Sequence, residues 1–177
     1  MSKPRVYIAG PECFLEDSEA VSRRYLELAE SYGFEGLSPA LSKEGEPIDF
    51  SNPDRQFIAR EICRKNLLLI DSADLIIANT NDFRGFEPDS GTAFEMGYAY
   101  GKNKKMYCYM SDTRPCDERY TAEKFKSEDG RDVDDEGRWF ETDCLNLMLY
   151  CPTKITEGTF EDALKVAAED FGTGGSK

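Results

Sequence analysis

At 177 residues and 20.0 kDa, the chain fits a single domain that can bury a hydrophobic core of its own. Acidic residues outnumber basic residues by 35 to 22, and the net charge of -13 excludes polymeric nucleic acid as a ligand, because most of the surface repels a phosphate backbone. The chain contains no histidine, which excludes His-dependent triads and histidine-ligated metals, so acid–base chemistry must rely on carboxylates, tyrosine, lysine or cysteine.

The chain opens with a predicted strand, helix and strand. Residues 5–9, "RVYIA", form a short β-rich run, and Gly10 and Pro11 predict a sharp turn at its end. Apolar side chains recur at helical spacing in residues 16–33, which end in a glycine that stops the helix. Residues 34–39, "FEGLSP", are predicted as the second strand.

A polar loop over residues 39–52 precedes the second predicted helix. Asn52 is its expected N-cap and Pro53 its expected first residue, and the helix ends near Ser72. Its apolar residues are predicted to face the core: Phe57, Ile58, Ile62 and the run "LLLI".

The third predicted strand is residues 73–79, "ADLIIAN". This nearly continuous apolar run is typical of a strand buried on both faces of a parallel sheet. A helix from about Ser90 to Gly101 follows, and residues 104–110, "KKMYCYM", form the fourth strand.

The last third of the chain begins with a charged segment, residues 111–143, which has few aliphatic residues and is predicted as a long surface excursion with a mobile tip. Residues 145–150, "LNLMLY", are expected at or beside the fifth strand, and residues 159–172 form a closing amphipathic helix. The predicted domain spans residues 1–172, and residues 173–177 are predicted as a disordered tail.

The alternation of strands and helices predicts an α/β, doubly wound parallel sheet in a single domain. The expected strand order is the flavodoxin-like 2-1-3-4-5, in which ligands lie outside the carboxyl ends of strands one and three. Tyr7, Gly10 and Pro11 lie at the tip of strand one, and residues 83–101 follow the tip of strand three. The sequence therefore predicts a ligand cleft between these two segments.

The six cysteines show no C-x-x-C spacing and lie mostly inside apolar runs, which predicts buried free thiols rather than disulfides or a metal site. No apolar run approaches the length that spans a bilayer, and the N-terminus runs into a strand without a signal-peptide core. We expect a cytoplasmic protein that has no membrane partner.

Residues 83–101, "FRGFEPDSGTAFEMGYAYG", concentrate glycines and carboxylates at the start of a helix. Gly85 and Gly91 let the loop bend tightly and let its backbone approach a ligand. Asp89 has two interpretations, as the helix N-cap or as an acid that acts on a ligand, and the cap alone would explain an acid at this position.

Glu95 lies among apolar or small residues of the same helix, and it points either to solvent or into the cleft. In the cleft, the helix N-terminus would favour its ionised form. Glu95, Asp89 and the phenol of Tyr7 would then form a constellation for glycosyl chemistry, in which one carboxylate attacks an anomeric carbon and the other handles the leaving group.

Four segments in order along the chain, "VYIAGP", "SADLIIAN", "FRGFEPDSGTAFEMGYA" and "LNLMLY", resemble nucleoside 2-deoxyribosyltransferases from about residue 5 to residue 150. The resemblance implies a flavodoxin-like fold. It also implies transfer of 2-deoxyribose from a deoxynucleoside to a free nucleobase through a covalent sugar–enzyme intermediate, with no cofactor and no metal.

The resemblance also implies roles for single residues. Glu95 matches the nucleophile, Asp89 the acid that protonates the base, and Tyr7 the phenol that orients the nucleophile. Asn146 and Met148 match a segment that enters the neighbouring subunit's site, so a homodimer or larger homo-oligomer with shared sites is expected. The remaining substrate-binding residues are Asn66, where some members place an aspartate that contacts the base, and Gly10, Pro11, Gly85 and Gly91.

Two alternatives remain open. An N-glycoside hydrolase on the same fold shares the chemistry up to the glycosyl-enzyme, which water then resolves; its nucleotide-specific forms need a phosphate pocket, and "GPECFLED" is a poor anion cradle. A signalling receiver domain needs an acidic pair after strand one and an aspartate at the end of strand three, where this chain has "AGP" and "IIANTND".

Overall fold

The computed structural model describes residues 2–41, 48–120, 122–140 and 142–173. Within these ranges none of the helices is long and apolar enough to cross a membrane. The elements in chain order are β1 (Arg5–Ala9), a 3-10 turn (Pro11–Phe14), α1 (Ser18–Ser31), β2 (Glu35–Leu37), α2 (Arg55–Ser72), β3 (Leu75–Asn79), α3 (Ser90–Gly101), β4 (Lys105–Met110), α4 (Cys116–Arg119), β5 (Phe125–Lys126), β6 (Asp132–Val133), α5 (Leu147–Tyr150), β7 (Lys154–Glu157) and α6 (Phe160–Phe171).

Five parallel strands form the central sheet in the order β2-β1-β3-β4-β7. The predicted flavodoxin-like order is therefore confirmed, with β7 as the fifth strand of the sheet. Residues 147–150 of "LNLMLY" form the short helix α5, and β7 begins four residues after it, so this segment lies beside the fifth strand rather than in it.

The sheet has a hydrophobic core on each face, because successive side chains of a strand point to opposite sides. On one face, Tyr7 and Ile76 pack with Met96 of α3 under helices α2 and α3. On the other face, Val6 and Ile77 pack with side chains of α1 and α6. This alternation directs Tyr7 towards α3.

The start of α2 differs from the prediction. Asp54, rather than Asn52, is the N-cap, and its carboxylate accepts hydrogen bonds from the backbone N–H groups of Gln56 and Phe57. The Asn52 side chain instead accepts a hydrogen bond from the Asp54 backbone, two residues too early to cap the helix, and Pro53 precedes the helix.

The core face of α2 also differs from the prediction. Ile58, Leu69 and Ile70 are buried, whereas Phe57 and Ile62 are exposed. Apolar residues surround much of this helix, and only the stripe that meets the sheet and α3 is buried. The exposed apolar residues Phe57 and Ile62 require another explanation.

The excursion over residues 111–143 has more structure than predicted. It contains α4 and the antiparallel pair β5–β6, and it buries Cys116, Arg119 and Val133. The predicted tail, residues 173–177, lies outside the described residues except for Thr173, and the domain limit at residue 172 stays a prediction.

The six cysteines, all within the described ranges, are free thiols, but only three are buried. Cys108, Cys116 and Cys144 are buried, whereas Cys13, Cys63 and Cys151 are exposed, so the prediction of buried thiols is wrong for half of them. No group of three or more metal-ligating side chains is found among the described residues.

Candidate active site

Three elements bring polar side chains to Glu95, which lies in the second turn of α3. The hydroxyl of Tyr7, from β1, donates a hydrogen bond to Oε1 of Glu95 at 2.7 Å. The Nδ2 group of Asn66, from α2, donates to the same oxygen at 3.0 Å. Oε2 of Glu95 accepts no hydrogen bond from the described residues. One oxygen is thus fixed in place, and the other is available to a ligand.

Burial dominates the electrostatics of this cluster. It raises the pKa of the Glu95 carboxyl above its ordinary value; the bonds from Tyr7 and Asn66 oppose this shift, and the negative charge of Asp89 adds to it. The helix N-terminus is expected to favour the ionised form of Glu95, whereas desolvation of the carboxylate, the largest effect on its pKa, acts in the opposite direction. Burial and the neighbouring Glu95 charge also raise the pKa of Tyr7 far above its ordinary value, so Tyr7 remains a proton donor.

Asp89 is the N-cap of α3, and it is also close enough to Glu95 for its negative charge to raise the pKa of the Glu95 carboxyl. Oδ2 of Asp89 accepts hydrogen bonds from the backbone N–H of Thr92 at 2.9 Å and from its hydroxyl at 3.2 Å. Oδ1 accepts none from the described residues, so capping and a second function are compatible. A Cβ at Gly91 would lie 3.0 Å from Oδ2 of Asp89, so a larger residue there would crowd the capping carboxylate.

The turn after β1 is held by a second carboxylate. Oε1 of Glu12 accepts hydrogen bonds from Nδ2 of Asn79 at 2.7 Å and from the hydroxyl of Tyr109 at 2.9 Å. A Cβ at Gly10 would lie 2.0 Å from Oε2 of Glu12 and 3.0 Å from Cβ of Asn79, so a larger residue there would displace the Glu12 carboxylate. Gly10 therefore shapes the turn that begins at Pro11. Its predicted role in binding substrate is a separate one.

Sequence reasoning missed Cys13 as a residue of this site. Cys13 lies in the turn after β1, three positions after Gly10, and the residue is exposed. Partial desolvation of its thiol and the charges of Asp89 and Glu95, with a smaller contribution from Glu12, raise the pKa of the thiol above the ordinary value. Cys13 could have been identified from the rule that ligands lie outside the carboxyl end of strand one, since it follows that strand closely.

The other predicted residues are Gly85, in the loop before α3, and Asn146 and Met148, at α5. A Cβ at Gly85 would meet no atom within 4 Å in the described structure, so packing gives no reason for glycine there. Asn146 caps α5, where its side-chain oxygen accepts a hydrogen bond from the backbone of Met148 at 3.1 Å. The side chain of Met148 is directed away from the core, with 81% of the residue exposed.

Fold and site together define an α/β protein with a carboxylate centre at the carboxyl edge of its parallel sheet, which is where enzymes of this architecture bind ligands. The chain belongs to the nucleoside 2-deoxyribosyltransferase family, whose model matches residues 6–172. This membership confirms the resemblance seen in the sequence. No curated protein sequence matches the chain.

Solved structures agree with the family assignment. A 2-desoxiribosyltransferase from Leishmania mexicana is 32% identical over 94% of this chain and 97% of its own, with a TM-score of 0.69. A conserved protein from Enterococcus faecalis V583 is 18% identical, covers 95% of this chain and 99% of its own, and has a TM-score of 0.58, which shows the same fold. A CMP N-glycosidase from Clostridium botulinum, 15% identical over 92% of this chain and 97% of its own, has a TM-score of only 0.43 and supports no conclusion.

Proposed function

We propose that the protein transfers 2-deoxyribose from a 2′-deoxynucleoside to a free purine or pyrimidine base through a covalent bond between the sugar and Glu95. The observation that carries this proposal is that the two Glu95 oxygens differ in their hydrogen bonds. Oε1 accepts hydrogen bonds from both Tyr7 and Asn66, and Oε2 accepts no hydrogen bond from the described residues. A nucleophile needs this arrangement, because one oxygen must be held while the other attacks.

In the first half of the reaction, Oε2 of Glu95 attacks C1′ of the deoxyribose from the face opposite the base. The bond between C1′ and the base nitrogen breaks, its electron pair stays on that nitrogen, and Asp89 supplies a proton to the base through the oxygen that the cap leaves available. In the second half, a nitrogen of the acceptor base attacks C1′, the bond to Glu95 breaks, and the acceptor's proton returns to Asp89.

The direct test is to incubate the protein with deoxyinosine plus adenine or cytosine and to separate the products. A new deoxynucleoside containing the added base is the expected result. Release of hypoxanthine without a new deoxynucleoside would replace the proposal with hydrolysis.

The raised pKa of Glu95 predicts the pH dependence of this reaction. Because the nucleophile must be ionised, kcat/KM should fall as the pH decreases through a pKa above the ordinary glutamate value. The bonds from Tyr7 and Asn66 stabilise the ionised form and lower that pKa, so Tyr7→Phe and Asn66→Ala should each move the acid limb to higher pH. The measurement is the pH profile of kcat/KM for all three proteins; an acid limb that stays in place or moves to lower pH in both variants would contradict the assignment.

We propose that a second copy of the chain covers the exposed apolar face formed by α2, α3 and α5. Phe94 and Tyr100 of α3 are 58% and 61% exposed, and α3 packs against both other helices. The remaining large exposed apolar residues of α2 and α5 are Phe57, Ile62, Leu68, Leu147, Met148 and Tyr150. An apolar surface on three adjacent helices is typical of a protein–protein interface. In this arrangement Asn146 and Met148 of one subunit reach the site of the other.

A subunit-mixing experiment tests this arrangement. Asn146→Ala and Glu95→Ala are each expected to be nearly inactive alone, whereas mixed dimers should contain one site with an intact Glu95 and an intact Asn146. Activity should therefore recover when the two variants are mixed under conditions that exchange subunits. If labelled subunits exchange and activity does not recover, Asn146 acts within its own subunit or outside the site.

The same proposal defines the setting of the enzyme. Its partners are deoxynucleosides and free nucleobases, it needs no cofactor, and its role is nucleotide salvage in the cytoplasm. The absence of histidine and the large negative charge are consistent with a small, uncharged substrate handled by carboxylates and tyrosine.

A further inference from the structure

We propose that Arg119 is a positioning residue that joins the loop carrying Asp89 to the segment carrying Asn146. The consequence for catalysis rests on the proposed function, whereas the physical link between the two segments does not. The link also gives a role to the excursion over residues 111–143, which supplies Arg119.

The side chain of Arg119 is only 6% exposed and binds three separate segments. One Nη group donates to a carboxylate oxygen of Asp82, in the loop between β3 and α3. The other donates to the backbone carbonyl of Cys144 at 2.7 Å, two residues before Asn146. The Nε group donates to the carbonyl of Arg114, after β4, at 3.1 Å.

These contacts use the particular shape of a guanidinium group. It is planar and presents its donors in fixed directions, so the positions of Asp82 and of the Cys144 carbonyl are fixed relative to each other. A lysine in place of Arg119 could not donate in all three directions with the same geometry. Because the group is buried and charged, loss of an acceptor leaves a donor unsatisfied, which favours movement of the segments that surround it.

The residue after Arg119 makes a second contact with the same loop. The ring of Tyr120 lies 4.9 Å from the ring of Phe86, in the loop between β3 and α3, and 4.6 Å from the ring of Phe140, at the end of the excursion. Two consecutive residues of the excursion therefore hold a loop that ends at Asp89. These contacts indicate that the excursion stabilises the position of this loop and is not merely a solvent-exposed insertion.

A small displacement of either segment would be costly for a reaction that depends on their geometry. Misplacement by about 1 Å reduces a rate by roughly 100-fold in well-oriented sites. If Asp89 delivers the proton to the base, its displacement should slow natural nucleosides more than a deoxyriboside whose leaving group needs no proton. A general loss of folded protein would slow both substrates equally, so their ratio separates the two effects.

The experiment compares Arg119→Lys and Asp82→Ala with wild type. Asp82→Ala removes one acceptor from a partly exposed position, so it serves if the buried Arg119 variant does not fold. Arg131→Gln is the matched control, because Arg131 pairs with Asp129 at an exposed position of the same excursion. Amide hydrogen exchange is followed over residues 82–92 and 143–150, together with kcat/KM for deoxyinosine and for the substrate with the easy leaving group.

Exchange should rise in both segments in Arg119→Lys, and at least in residues 82–92 in Asp82→Ala. The rate on deoxyinosine should fall by roughly 10- to 100-fold, with a smaller loss on the second substrate. Arg131→Gln should match wild type in every measurement.

Unchanged exchange in both variants would overturn the link, and raised exchange with equal losses on both substrates would overturn the positioning role. If the wild type transfers no deoxyribose, the proposed function fails, and the exchange data alone decide whether the link exists.

Discussion

Glu95→Gln is expected to reduce turnover by roughly 10,000-fold or more while the fold remains intact. The amide keeps an oxygen that accepts the bonds from Tyr7 and Asn66, but it cannot attack C1′ as a carboxylate does. Because desolvation of the carboxylate opposes ionisation in the folded protein, its replacement by a neutral group removes an unfavourable contribution. We therefore expect no decrease in Tm. The measurements are kcat for transfer from deoxyinosine to adenine, and Tm by calorimetry.

Glu169→Gln is the matched control, since Glu169 is an exposed residue of α6 on the far side of the sheet. It should keep wild-type activity and stability. A Glu95→Gln protein that retained a tenth of the wild-type rate would exclude Glu95 as the nucleophile.

Asp89→Asn should slow natural deoxynucleosides by roughly 100- to 10,000-fold, because the amide cannot donate the proton that the leaving base requires. A deoxyriboside whose leaving group needs no proton should lose much less. The asparagine oxygen can still accept the hydrogen bond from the Thr92 backbone, so α3 should keep its N-cap. The measurement is kcat/KM for both substrates.

The chain offers a control with the same substitution at the same kind of position. Asp54 caps α2 as Asp89 caps α3, and it lies outside the Glu95 cluster. Asp54→Asn should leave both substrates unaffected. Equal losses on both substrates in Asp89→Asn would contradict the role of Asp89 as the proton donor.

The sequence was sufficient for the first four strands of the sheet and for the start of α3, because these depend on local patterns. A continuous apolar run identified β3, and the acids and glycines around Asp89 identified the start of the helix, which begins at Ser90 as predicted. The start of α2 was misplaced because Asn52 and Asp54 are both good caps. Which one binds the helical N–H groups depends on backbone geometry that composition does not show.

The site was predictable only where it follows from the rule that ligands lie outside the carboxyl ends of strands one and three. Tyr7 of strand one and Glu95 after strand three were expected to meet, and they share a hydrogen bond. The bond from Asn66 depends on the rotation of α2 against α3, which helical spacing does not determine, as the exposure of Phe57 also shows. Arg119 gave no signal, since a charged residue in a charged segment is ordinarily solvated.

The most direct test of covalent catalysis is the mass of the protein during turnover. The wild type would be incubated with a deoxynucleoside and no acceptor base, denatured in acid, and analysed intact and after digestion, with Glu95→Gln treated in the same way. We predict an increase by the mass of one 2-deoxyribosyl group, located on the peptide that contains Glu95 and absent from the variant. Release of the donor base at the wild-type rate with no modified protein, or with the sugar on another residue, would contradict a glycosyl-enzyme at Glu95.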